Sequence, residues 1–196
     1  MAPDSLDLHL TMPDWAAPYQ ATLPEFVPDV EQRMRIVLEL AGLNVERNTG
    51  GPFAAGVFEQ ASGRLIALGV NRVVASGCSS AHAEVMALGR AQKRLGTYDL
   101  GGIGLPAHEL VVNWRPCAKC YGALLWSGVR QLTIAGSGPE LEDLTGFDEG
   151  PVHPNWKEEL AARGITTRED VLRAEAVAQF RRFRESARLV YNARQG

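Results

Sequence analysis

Between Pro52 and Gly136 the chain alternates strand-like and helix-like segments, and this alternation restricts the fold more than any other feature. "FAAGVFEQ" and "RLIALGVNRV" read as strands joined through Ala61-Ser62-Gly63, a hairpin. "SSAHAEVMALGRAQKRL" then has helical spacing, with Ser79 or Ser80 as candidate caps and Gly96 as the stop. "HELVVNW" reads as a buried strand, "PCAKCYGALLWSG" as a short helix with Pro116 near its first position, and "RQLTIAG" as another strand. Strands joined by helical crossovers imply a sheet that is at least partly parallel, with helices on its faces. The expected architecture is a three-layer α/β/α fold with a mixed sheet, the hairpin supplying its antiparallel part.

The flanks add helices. "DVEQRMRIVLELAGLNV" starts at Asp29, a candidate N-cap, and places Val30, Met34, Val37, Leu38 and Ala41 at helical spacing. "RNTGGPF" ends it. "SGPELEDLTGFDEGPVHPNW" reads as a turn-rich loop, and "KEELAARG" and "REDVLRAEAVAQFRRFRESARLVYNAR" as helical. Residues 1–28 hold Pro3, Pro13, Pro18, Pro24 and Pro28, a density that excludes long helices. Trp15, Tyr19 and Phe26 predict that this arm lies ordered against the body. The expected organisation is an arm over 1–28 and one domain over 29–196 with a helical C-terminal extension.

Charge and cysteine usage narrow the function. A net charge of −3 and a pI near 5.8 disfavour nucleic acid as a partner. No apolar run approaches the roughly 20 residues of a membrane span, and "MAPDSLDLHLTMPDW" lacks the basic and apolar regions of a secretory signal, so a cytoplasmic location is expected. The cysteines are Cys78, Cys117 and Cys120, an odd number with two in a C-x-x-C, which suits a metal or redox site better than a disulfide framework.

Cys117 and Cys120 stand at i and i+3 at a helix start, where both sulfurs can meet one ion and the helix N-terminus favours thiolate. His82 opens a different helix. One nitrogen and two sulfurs leave a fourth position open, the pattern of a catalytic zinc, and this soft set disfavours magnesium and calcium. Glu84, two residues on, is free to act on a water at that position as a proton shuttle. A fourth ligand from Cys78 would close the site to water and is not expected. A redox C-x-x-C or half of a four-cysteine knuckle are the rival readings, and the chain has no second cysteine pair.

"AHAE" and "PCAKC" together have the H-x-E…P-C-x-x-C form of zinc nucleobase deaminases. Over roughly residues 30–150 the chain resembles the cytidine-deaminase-like superfamily. "GGPFAAGV", "VNRV", "LGTYDL" and "GFDE" make it most similar to bacterial guanine deaminases and related nucleobase or nucleoside deaminases. The resemblance implies one zinc per subunit on His82, Cys117 and Cys120, with Glu84 as the proton shuttle. It implies a second acidic shuttle at Glu149, with Asp148 as its rival. It also implies a substrate pocket formed by Asn71, Phe53, Trp126, Phe147 and Tyr191. The implied reaction is hydrolytic deamination of an amino-substituted nucleobase, guanine giving xanthine and ammonia. Guanosine, cytosine or an aminotriazine are alternative substrates, and a tRNA adenosine deaminase or a non-catalytic zinc module are less favoured. The resemblance further implies a homodimer, with Tyr191 carried into the neighbouring subunit by a C-terminal swap. The chain departs from the family at Trp114 and Arg115, where an acidic or small residue usually precedes the proline. Arg115 is expected to contact a phosphate or carboxylate, or to pair with a surface acid.

Overall fold

A computed structural model describes residues 8–194. The elements in chain order are α1 (Ala16–Thr22), α2 (Val30–Glu46), β1 (Ala54–Glu59), β2 (Leu65–Val70), α3 (Val73–Ser76), α4 (Ala83–Leu95), β3 (His108–Val112), α5 (Ala118–Trp126), β4 (Gln131–Ile134), α6 (Glu140–Thr145), α7 (Trp156–Ala161), β5 (Thr166–Arg168) and α8 (Arg173–Glu185).

The five strands form one sheet in the order β2-β1-β3-β4-β5. β1 is antiparallel to both β2 and β3, whereas β3, β4 and β5 are mutually parallel. The strands β1 to β4 are buried almost throughout because both faces are covered, and β1 and β2 are nearly all apolar. Ala54, Phe58, Leu68 and Val111 enter a core with α2 and α8. Ala55, Val57, Leu110, Val112, Leu132 and Ile134 enter the other, with α4, α5 and α7. The three-layer mixed architecture expected from the sequence is therefore the one observed.

The helix boundaries follow local chemistry. Asp29 caps α2, its Oδ1 accepting from Gln32 N at 2.7 Å. Gly96 ends α4 in the left-handed region that glycine tolerates without strain. Neither candidate serine caps α4. Its N-cap is His82, whose side chain makes no capping bond and is left for other use.

The proline-rich arm contains no long helix among its described residues, only α1, and packs on the α2 side. Met12, Trp15 and Tyr19 lie against that core, Trp15 Nε1 donates to Thr49 Oγ1 at 3.1 Å, and Val27 is fully buried. Pro3 falls outside the described residues. Val27 and Pro28 are held from within: Arg33 donates to both carbonyls and forms a buried ion pair with Glu109, which also accepts from Thr133 Oγ1 at 3.0 Å. Among the described residues, no helix is long and apolar enough to cross a membrane.

Several elements differ from the sequence reading. Part of the expected loop 137–156 is the helix α6. The three-residue β5 extends the sheet between the two expected C-terminal helices. α8 begins only at Arg173, because Asp170 and Leu172 take positive φ, and it stops at Glu185 short of Ala187, also at positive φ.

Candidate metal centre and active site

β2 and β3 flank β1, each antiparallel to it, so the two run in the same direction and end at the same edge of the sheet. β4, parallel to β3, ends there too. α4 follows β2 by way of α3, α5 follows β3, and the 146–150 segment follows β4. The starts of both helices and this loop therefore meet outside the carboxyl ends of three strands, the usual place for a site in such sheets.

Close approach of backbone to backbone makes the meeting possible. A Cβ at Gly69 on β2 would lie 2.3 Å from Ala83 O and 2.4 Å from Ala87 N, so the start of α4 sits directly on the strand. A Cβ at Gly50 would lie 1.9 Å from Asn71 O, so the loop before β1 presses on the end of β2. The buried Asn44 ties these segments together, donating to Gly51 O and Asn71 O, each at 2.9 Å.

His82 and Cys117 are the N-caps of α4 and α5, and Cys120 lies one turn into α5. One ligand atom from each of the three falls within 4.8 Å of the others. Cys117 Sγ and His82 Nδ1 are 3.6 Å apart. A tetrahedral zinc, with nitrogen near 2.0 Å and sulfur near 2.3 Å, would hold that pair about 3.5 Å apart, so the donors fit the ion in type and spacing. The Cys117 thiol is pushed down to about 3, chiefly by the hydrogen bond from Cys120, with His82 adding to it. The same hydrogen bond, with burial, pushes Cys120 far up, so the metal-free pair shares a proton. Cys78, on the loop before α4, does not join the cluster.

Glu84, in the first turn of α4 and 6% exposed, is a carboxyl buried beside these ligands. Desolvation raises its pKa, and the Cys117 thiolate adds to the rise. Burial, then the charges of Cys117 and Glu84, push Glu149 up to about 8, with Arg115 opposing. Asp148 is exposed, and its Oδ1 is occupied by Gly150 N at 2.9 Å.

Both acids border a cavity of about 320 Å³ that also receives His82, Glu84 and Cys117. Phe53 and Phe147 meet edge to face on its wall, with centroids 5.1 Å apart, and Phe183 of α8 stacks behind Phe147. Asn71 lines it as well, its Oδ1 accepting from Val73 N at 3.3 Å.

The family model described as "Cytidine and deoxycytidylate deaminase zinc-binding region" matches residues 28–135. The chain belongs to this deaminase family. The guanine deaminase from Nitrosomonas europaea is 46% identical, with 91% of this chain and 97% of that one covered at a TM-score of 0.86. A structure solved in complex with 2,6-diaminopurine is 47% identical, covering 96% and 98% at a TM-score of 0.88. The guanine deaminase of Bacillus subtilis is 32% identical over 123 residues, 63% of this chain and 74% of its own length.

The deaminase fold thus gathers His82, Glu84, Cys117, Asn71, Phe53, Phe147, Asp148, Glu149 and Tyr191 around one cavity, with Cys120 beneath. Trp126 is the exception. It is the last residue of α5, 87% exposed, and does not line the cavity, because α5 turns Cys120 and Leu124 inward instead. Tyr191 borders the cavity of its own chain, carried there by a tail whose Asn192 accepts from Asp148 N and donates to Gly146 O, both at 2.8 Å. Among the described residues Arg115 makes no pair with a surface acid. It is buried and faces the cavity. Asn44 escaped the sequence reading, since a lone asparagine on a helix carries no motif. Its value comes from the two carbonyls it reaches.

Proposed function

We propose that the protein is a zinc-dependent hydrolase that deaminates an amino-substituted nucleobase, converting guanine to xanthine and ammonia. The observation that carries this reading is the buried carboxyl of Glu84 beside three metal-ligating side chains on the floor of an aromatic-walled cavity. A purely structural metal site has no use for that carboxyl. The guanine deaminases among the similar proteins support guanine as the base.

His82, Cys117 and Cys120 would hold zinc, which when bound lowers the pKa of a water at its open position to roughly 7 and presents it as a nucleophile. Phe53 and Phe147 give the base one aromatic wall to pack against, and Asn71 offers its amide to the ring edge. Glu84 takes a proton from the water and delivers it to the ring nitrogen next to the amino-bearing carbon. The second water proton, given up by the attacking oxygen as the new carbonyl forms, must be relayed to the departing amine as the C–N bond breaks. Glu149 suits that task better than Asp148, because its carboxyl is desolvated and shifted toward the protonated form, whereas Asp148 is spent on a turn. Tyr191 and the tail close the cavity over the base and exclude water.

The chemistry is assigned to one domain over 29–196, with 1–28 as an arm whose described residues brace on α2. A homodimer is inferred. Tyr98, Ile103 and Trp126 are exposed apolar side chains on segments joined by the Leu100 N to Ser127 O bond, the kind of surface a second copy covers. Exchange of the C-terminal tail between copies would keep the Asn192 and Tyr191 contacts while tying the dimer together. A monomer in sedimentation velocity at micromolar concentration would rule the dimer out. The free thiols suit a reducing, cytoplasmic compartment.

The test of the activity is ammonia release from guanine by zinc-loaded protein and by Glu84→Gln. The variant is expected to keep its zinc and lose turnover.

A further inference from the structure

We propose that Arg115 is a specificity-determining residue of the substrate cavity, whose guanidinium donates to an oxo group on the ring and so selects amino-oxo bases over diamino bases. This rests on the nucleobase deaminase reading above and deepens it by naming the substrate feature that is read.

Arg115 lies between β3 and Cys117, pinned by its backbone N–H to Gly136 O at 2.9 Å. It is 8% exposed, and it lines the cavity together with Glu84 and Glu149. Among the described residues its side chain makes no hydrogen bond and no ion pair, and Nη1 is buried without a partner. Glu149 feels its charge but does not pair with it.

A guanidinium cannot shed its proton, and a buried cation without an acceptor is costly. The cavity it borders is where an acceptor can be supplied. A ring carbonyl offers two lone pairs to the fork of donors. An amino group at the same ring position presents N–H donors to N–H donors, and the pairing fails. Recognition by an otherwise unpaired polar group discriminates strongly for that reason.

The experiment measures binding by calorimetry in the zinc-loaded Glu84→Gln background, where turnover does not interfere. The probes are 8-azaguanine, an amino-oxo base, and 2,6-diaminopurine. Arg115→Met should weaken 8-azaguanine by about ten- to a hundred-fold, the range for a lost charge-assisted hydrogen bond, and leave 2,6-diaminopurine nearly unchanged. Arg115→Lys should recover part of the preference. Zinc content and thermal unfolding show that each variant is folded, and Arg115→Lys alone carries the test if Arg115→Met does not fold. Equal weakening of both bases, or unchanged binding of both, overturns the proposal. Arg115-dependent binding by a protein whose parent releases no ammonia from guanine would refute the deaminase reading and leave this one standing.

Discussion

Gly69→Ala adds one methyl group 15 residues from Glu84, and it should cripple the site. The new Cβ would lie 2.3 Å from Ala83 O and 2.4 Å from Ala87 N, against an ordinary contact of 3.4 Å or more. Both atoms are backbone, so no rotamer change relieves the clash, and β2 and the start of α4 must part by about 1 Å. Ala83 stands between His82 and Glu84, so the displacement falls on a metal ligand and on the proton shuttle together. A misplacement of that size costs on the order of 100-fold in rate, and overpacking a close-packed layer about 1–3 kcal/mol in stability. Gly89, in the middle of the same helix, is the control. Its Cβ would meet nothing within 4 Å, so Gly89→Ala should stabilise the protein by about 0.5–1 kcal/mol and leave the rate alone. The assays are ammonia release, zinc content and thermal unfolding of both variants. Wild-type rate and stability in Gly69→Ala would refute the claim that strand-on-helix contact places the site.

Glu109→Ala should destabilise the fold by about 3–5 kcal/mol, because it strands the buried Arg33 guanidinium, whereas Arg33→Met with Glu109→Leu should recover most of the loss. A melting temperature for the single variant within about 2 °C of the parent would show the pair to be idle. In the metal-free protein, Glu149 has a folded pKa near 8, above its ordinary value of 4.5. The folded state therefore holds a proton that the unfolded state releases, and stability falls as pH rises from about 4.5 to about 8. Glu149→Gln should flatten that fall by up to a few kcal/mol, read from melting temperature against pH after chelation, and parallel curves for the two proteins would reject the assignment.

The metal centre was legible in the sequence because its chemistry is local: one helix start carries His82 and Glu84 two residues apart, the other Cys117 and Cys120 three apart. The strands that bring them together were legible because burial on both faces leaves long apolar runs. What escaped depends on contacts the chain makes with itself at a distance. The short edge strand β5 carried only the β-branched run Ile165-Thr166-Thr167 as a signal, and three residues are too few to separate it from the helices on either side. α6 hid in a segment rich in turn formers, although Glu140, Glu142 and Asp143 favour a helix N-terminus. The family resemblance alone places Trp126 at the pocket, and its position on an apolar helix does not fix where it points. Which way a terminal helical residue points depends on the face the helix buries. Arg115 stood out as a departure from the family pattern, but its burial without a partner became visible only in three dimensions.

On the proposed reading, His82, Cys117 and Cys120 hold one zinc and Glu84 moves protons there. The most direct test is zinc stoichiometry together with initial ammonia release from guanine, for wild type and Glu84→Gln. One zinc per chain is expected in both, with rapid release by the wild type and a loss of about 10²–10⁴-fold in the variant. Turnover within a few-fold of wild type in a zinc-loaded Glu84→Gln would contradict it.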